Sequence, residues 1–237
     1  MAILIGGYLS DSRVTFALRH KIEHEMRALN EIVAIVIHQT NSDTAYSTLQ
    51  QWQKSPLGAH FLIDRGGAEY KENGRIEKSI DGKIYQTADI TRVCRHVGKI
   101  RSRCLATLSC VVAPNQKQSQ SAEAKTRGEG KLSRYEHKKT YPLRYPTNDD
   151  SIGIEIVTRS EHNRCYPDPT RAQAESALWL IEQLMRELPV IGQDGIFAHG
   201  EISYKDEARS EGTGVLRVSG VTSYPFGLLD GKAVGKK

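Results

Sequence analysis

A chain of 237 residues, 38% hydrophobic and 26% charged, has the composition of an ordinary globular protein and can bury one sizeable core. No stretch approaches the roughly 20 apolar residues of a membrane helix, and Met1-Ala2-Ile3-Leu4-Ile5 is too short and lacks the basic start of a secretory signal. No transmembrane segment is expected, and synthesis in the cytoplasm is, with any export by lysis or a dedicated injection route.

The net charge of +5 is concentrated between Pro114 and Pro146, where eight Lys or Arg stand against three Glu. This stretch is rich in Gln, Ser, Lys and Gly and poor in large apolar residues, so it reads as a flexible, solvated basic insertion over about 113–147. Such a loop suits a polyanionic partner such as cell-wall polymer, membrane surface or nucleic acid, or serves only to keep the protein in solution.

In chain order, Ser10-Asp11-Ser12 offers an N-cap. Val14, Leu18, Ile22, Met26 and Leu29 follow at spacings of three and four, which predicts an amphipathic helix over about 12–30. Val33 to His38 reads as a buried strand, and Ser42-Asp43 can cap a second helix through about Trp52. Ala59 to Asp64 reads as a strand turning at Arg65-Gly66-Gly67, with hairpins signalled by Asn73-Gly74 and Asp81-Gly82. Beyond the insertion, Ser151 leads into a strand containing Glu155. A helix follows from Pro169 to about Leu188, with Ala174, Ala177, Leu178, Ile181, Leu184 and Met185 inward. A last strand ends at His199, and a Gly-rich tail covers about 213–237. The whole is expected to form a single α/β domain, a mixed sheet flanked by helices, with a core of about 32–212.

Three apolar runs thus deliver polar residues at or near their ends: His38, Glu155 and His199. Open α/β sheets place ligand sites at the carboxyl ends of strands, so these groups can meet at one edge. Alternation puts Ala34, Val36 and His38 on one face of their strand and Gly153, Glu155 and Val157 on one face of theirs. Each histidine alone could be a hydrogen-bonded core residue; two of them with an acid-rich loop after the second point to a metal site. A catalytic zinc takes three protein ligands, and the loop Gly200 to Gly212 supplies Glu201, Asp206, Glu207 and Glu211 as candidate third donors. The four cysteines, Cys94, Cys104, Cys110 and Cys165, form no Cys-x-x-Cys pair, although Cys104 and Cys110 could pair in an oxidising compartment.

The strand ending in His38, Gly58-Ala-His-Phe-Leu-Ile-Asp-Arg-Gly-Gly67, Arg95-His-Val-Gly98, Asn148-Asp-Asp-Ser-Ile-Gly-Ile-Glu155 and Ala198-His-Gly-Glu-Ile202 occur in the order typical of zinc-dependent type 2 N-acetylmuramoyl-L-alanine amidases. The chain resembles this family, which includes phage lysins and peptidoglycan recognition proteins, over about residues 32–212. The resemblance implies one Zn2+ ion and hydrolysis of the amide between N-acetylmuramic acid and L-alanine in peptidoglycan or muropeptides. It implies His38 and His199 as zinc ligands and Glu155 as the catalytic glutamate, with His96 near the bound glycan and His60 as a further substrate contact. The family's Lys-x-Asp-Pro-Gly has its nearest image in Arg209-Ser210-Glu211-Gly212, which implies Glu211 as third ligand and Arg209 as oxyanion helper, with Asp206 and Glu207 as rivals. Ala59 stands where some members carry a catalytic Tyr, so Glu155 serves without it.

The expected role is a delivered antibacterial toxin or lysin, with an immunity protein as a further partner if it is a toxin and the periplasmic wall as site of action. A cytosolic muropeptide-recycling amidase and a non-catalytic peptidoglycan-binding module of the same fold are the alternatives. A nucleic-acid partner is not expected, because it leaves His38, Glu155 and His199 without purpose.

Overall fold

The computed structural model describes residues 2–72, 74–107, 129–161, 165–204 and 211–221. Its centre is a mixed six-stranded sheet, with strands labelled by chain order. Across the sheet they run Ile196–Ala198 (β12), Ala34–Gln39 (β5), Ser151–Ile156 (β11), Phe61–Ile63 (β6), Ile84–Gln86 (β9) and Val14–Phe16 (β3). The first four are parallel, β9 runs antiparallel to β6, and β3 parallel to β9. Three small hairpins or ribbons pair outside it: β1 (Ile3–Ile5) with β2 (Tyr8–Ser10), β4 (Glu23–Met26) with β10 (Arg92–Cys94), and β7 (Glu69–Glu72) with β8 (Arg75–Lys78).

All six residues of β5 are buried, as expected for a central strand covered on both faces. One face carries Ile35, Ile37, Ile152, Ile154, Ile156 and Phe61 against the helix Arg171–Glu187. That helix starts two residues after Pro169 because Thr170 is its N-cap: the Thr170 hydroxyl accepts from Gln173 N–H, and the Gln173 side chain accepts from Thr170 N–H, a reciprocal box. Its Ala177, Leu180, Ile181 and Leu184 lie in the same cluster, where each large aliphatic side chain contributes about 1.5–3 kcal/mol by leaving water.

The other face holds two apolar clusters. Ala34, Val36 and Phe197 pack with Val97, Ile100, Tyr145 and Ile202, while Ala59 and Leu62 pack with Leu49 and Trp52 of the helix Ala45–Trp52. Between these strands runs β11, whose residues on that face are Ser151, Gly153 and Glu155. A polar strip therefore crosses an otherwise apolar surface.

The predicted helix over 12–30 is not formed. This segment makes β3, a 3-10 turn at His20–Ile22, β4 and a second turn at Leu29–Glu31. Its three-and-four spacing marks no common buried face, since Val14 is buried while Met26 is 70% exposed and Leu29 38% exposed. Pairing with β9 and β10 satisfies the backbone instead, and Val14-Thr15-Phe16 suits a strand.

The insertion also departs from expectation in its second half. Residues 108–128 lie outside the described residues, but Glu129–Glu136 is a helix, Ser133 Oγ accepts from Ile100 N–H (3.0 Å), and Tyr145 is fully buried edge-on against Phe197. Two of its cations serve internal ion pairs, Lys139 with Glu136 (2.7 Å) and Arg144 with Asp150 (2.8 Å). The start of the expected tail is a helix, Thr213–Ser219, docked on Arg171–Glu187 with Ser219 Oγ donating to Ala174 O (3.1 Å).

Candidate metal centre and catalytic cleft

Three separate segments converge at the carboxyl ends of β5 and β12. His38 is the penultimate residue of β5. His199 directly follows Ala198, which pairs with Ile37, so it arrives level with His38, and the two rings lie 4.2 Å apart between centroids. Glu211 precedes the helix Thr213–Ser219 and is held from both sides: Gly200 N–H donates to its carbonyl (2.9 Å), and the next amide, Gly212 N–H, donates to Gln39 Oε1 (2.9 Å). Glycine is required at 212, where φ is +83° and a Cβ would sit 2.3 Å from the Ile37 carbonyl oxygen.

The side chains of His38, His199 and Glu211 are all buried, and their donor atoms lie within 4.8 Å of one another. Both Nδ1 atoms face Glu211 Oε1, His199 at 2.9 Å and His38 at 3.2 Å. Burial alone would raise the Glu211 carboxyl, but hydrogen bonds from His199 and His38 outweigh it and hold it well below the usual carboxylate range. Zinc with bonds of about 2.0–2.2 Å in tetrahedral geometry separates its donors by about 3.4 Å, and two imidazoles with one carboxylate are a donor set it accepts. The residues therefore fit the ion, with Glu211 as the third donor. Asp206, Glu207 and Arg209 lie outside the described residues; Glu201 opens no such cluster among them.

Glu155 stands beside His38 in the β11–β5 register, so both side chains leave the same face of the sheet. With His96, Thr40, Thr48, Trp52 and Arg95 it lines a cavity of about 230 Å³. Arg159 does not pair with it, being engaged in a two-pronged ion pair with Asp43 at 2.7 and 2.5 Å. A larger cavity of about 470 Å³, beside Asp81, Lys83, Glu175 and Trp179, is lined by none of the candidate site residues.

The two histidines assigned to substrate separate. His96 borders the cleft, but its Nδ1 lies 3.0 Å from His38 Nε2, behind the metal centre. Burial, then the nearby imidazoles of His38 and His60, hold its pKa well below the ordinary histidine value. His60 is corrected: it is 0% exposed and offers no surface to a ligand. Its Nδ1 accepts from Gly153 N–H (3.1 Å) and its Nε2 faces Arg92 O (2.9 Å), so it ties β11 to the Arg92 segment. Burial and the Arg27 guanidinium, 3.0 Å from Nε2, push its pKa down to about 3. Arg27 itself, lowered to about 10 by burial, donates to the carbonyls of Ile90, Asn148 and Ser151.

Sequence reading missed the supports: Gln39, which seats Gly212, and Ser151, Gly153 and Asn148, which surround His96. Three of these fall within the quoted Asn148–Glu155 motif, yet no spacing rule assigns them a partner. Of the cysteines, Cys104 is disulfide-bonded, Cys94 and Cys165 form no disulfide, and Cys110 lies outside the described residues. Burial pushes the Cys94 thiol far up, which removes it as a nucleophile.

The sequence profile of a family described as N-acetylmuramoyl-L-alanine amidase matches residues 28–212. No curated protein matches the chain. Among solved structures, AmpDh3 from Pseudomonas aeruginosa is similar at 19% identity and a TM-score of 0.47, over 73% of this chain and 52% of that one. AmiD from E. coli, solved with anhydro-N-acetylmuramic acid-L-Ala-D-gamma-Glu-L-Lys, is similar at 18% identity and 0.44, over 85% and 57%. The catalytic domain of XlyA is similar at 16% identity and 0.45, over 92% and 93%. The chain thus spans a little over half the length of the AmpDh3 and AmiD chains.

Proposed function

The chain belongs to the N-acetylmuramoyl-L-alanine amidase family, and from that premise we propose that it hydrolyses the amide joining the lactyl group of N-acetylmuramic acid to L-alanine, with His38, His199 and Glu211 holding a zinc ion. The observation that carries this reading is the placement of Glu155 beside His38 at the mouth of a cleft, on the same face as the buried donor set. Zinc bound there would polarise the amide carbonyl and acidify a water molecule.

Glu155 then acts as general base and general acid. Its carboxylate removes a proton from water as the water oxygen adds to the lactyl carbonyl carbon, and returns that proton to the amide nitrogen as the C–N bond breaks. The products are a free muramyl carboxylate and a peptide with an L-alanine amino terminus. Arg209 would stabilise the developing oxyanion. His96 acts on His38 rather than on the reacting atoms.

We place the site of action on the wall outside the cytoplasm, as a delivered toxin or lysin, with peptidoglycan as substrate and, for a toxin, an immunity protein as its counterpart in the producer. The disulfide at Cys104 supports this over cytosolic recycling, since the cytoplasm keeps thiols reduced. The basic stretch before Pro146 supports an intact anionic wall over small soluble fragments.

Mass spectrometry of purified peptidoglycan after incubation tests the reaction and the bond together. Stem peptides with a free L-alanine amino terminus and no new reducing sugar ends are expected. New reducing ends would indicate a glycosidase, and cuts within the stem a peptidase; either overturns the proposal.

A further inference from the structure

The direction of a hydrogen-bond chain behind His38 can be read from its far end. Ser151 Oγ lies against the carbonyl oxygen of Thr147, which only accepts, so the serine proton points there. The Ser151 oxygen then faces His96 Nε2 at 3.4 Å as an acceptor, which assigns the His96 proton to Nε2 and leaves a lone pair on Nδ1. Nδ1 lies 3.0 Å from His38 Nε2, so His38 is the donor in that contact. The Nδ1 of His38 is the atom that faces Glu211 and the candidate metal position, and with Nε2–H kept by His96 the proton that Nδ1 donates to Glu211 is the one a metal ion would displace, leaving the Nδ1 lone pair to the metal.

We propose that Thr147, Ser151 and His96 form a positioning relay that holds His38 in the Nε2–H tautomer and fixes its ring plane for metal binding, a role that rests on the reading of His38 as a zinc ligand. Two further features serve the relay. Asn148 Oδ1 accepts from both His96 N–H (2.9 Å) and Val97 N–H (2.7 Å), which pins the backbone that carries the ring. Gly153 leaves the space the ring occupies: a Cβ there would come within 2.8 Å of His96 Cγ and Nδ1 and 3.0 Å of Ala59 Cβ. The glycine of Ser151-Ile152-Gly153-Ile154-Glu155 therefore serves His96, while the flanking serine and glutamate on the same face serve the relay and the reaction. Partners of this kind typically change metal affinity 10- to 100-fold when removed.

The test uses two readouts. In the zinc-loaded wild-type protein, nitrogen-15 NMR of the imidazoles is expected to show His96 with its proton on Nε2, and Ser151→Ala is expected to populate both tautomers. Zinc affinity, measured by chelator competition, is expected to fall 10- to 100-fold in His96→Phe and Ser151→Ala with the fold retained by circular dichroism. His96→Gln, whose amide oxygen can accept from His38 Nε2–H, is expected to recover most of the loss. A wild-type His96 protonated on Nδ1, or full zinc affinity in both His96→Phe and Ser151→Ala, would overturn the relay. Failure of the wild-type protein to bind zinc would instead overturn the metal reading.

Discussion

Glu155 and His38 are register partners in the parallel pair β11–β5, so a residue of the polar strip and a candidate metal ligand leave the sheet side by side on one face. This separates two functions that mutation can also separate. Glu155→Gln keeps the shape of the side chain and removes its charge, and is expected to leave fold and zinc content unchanged while lowering turnover by at least ~10²-fold. Turnover is read by chromatographic release of stem peptide, and near-normal activity would make Glu155 structural.

The metal reading predicts about one zinc per chain by elemental analysis, with the ion lost in His38→Ala and in His199→Ala. Glu211→Ala is expected to weaken binding strongly, because Glu211 Oε1 is the oxygen on which both imidazoles converge. Asp206→Ala and Glu207→Ala are expected to bind as wild type, and Arg209→Ala to bind zinc while slowing turnover. Zinc retention that tracks Asp206 or Glu207 would refute the loop assignment.

Gly212→Ala is a sharper probe of the same loop. A left-handed conformation costs an L-residue about 1–2 kcal/mol, and the added Cβ also meets the Ile37 carbonyl oxygen. Because Gly212 is anchored to Gln39 and adjoins Glu211, the variant is expected to melt at lower temperature and to bind zinc more weakly. A melt and affinity equal to wild type would show that the loop tolerates another path.

His60 makes stability depend on pH. Its pKa is about 3 in the folded protein against 6.5 ordinarily, so between these values the unfolded chain takes up a proton that the native state refuses. The stability contribution is complete above pH 6.5 and is lost as pH falls toward 3, by about 1.4 kcal/mol per pH unit. Denaturant melts from pH 7 to 4 are expected to show a flatter pH dependence for His60→Gln, whose amide can both accept from Gly153 N–H and donate to Arg92 O. Equal slopes would mean that His60 titrates normally.

The sequence by itself determined the elements whose signals are local. Solid β-branched runs announce β5 and β11 because central strands are covered on both faces, and the Arg171–Glu187 helix is visible in its period, which repeats within a few residues, although Thr170 caps it where Pro169 was expected in the first turn. The strand-end positions of His38, Glu155 and His199 were legible for the same reason, whereas Glu211 was pointed to only by the resemblance of Arg209-Ser210-Glu211-Gly212 to the family's Lys-x-Asp-Pro-Gly; its neighbour Gly212 carries the left-handed turn. Tertiary structure decided the rest. Val14 to Leu29 has helical spacing, yet its backbone is satisfied by β9 and β10 from far along the chain, and spacing carries no information about distant partners. His60 and His96 look alike in the sequence; one is sealed against Gly153 N–H and Arg92 O, and the other reaches His38, because β6 and the segment after β10 bring them to different depths of the same face. The proton that the proposed relay assigns to His96 Nε2 is set further away still, by the Thr147 carbonyl, which takes the Ser151 proton and leaves the serine oxygen to accept from the ring.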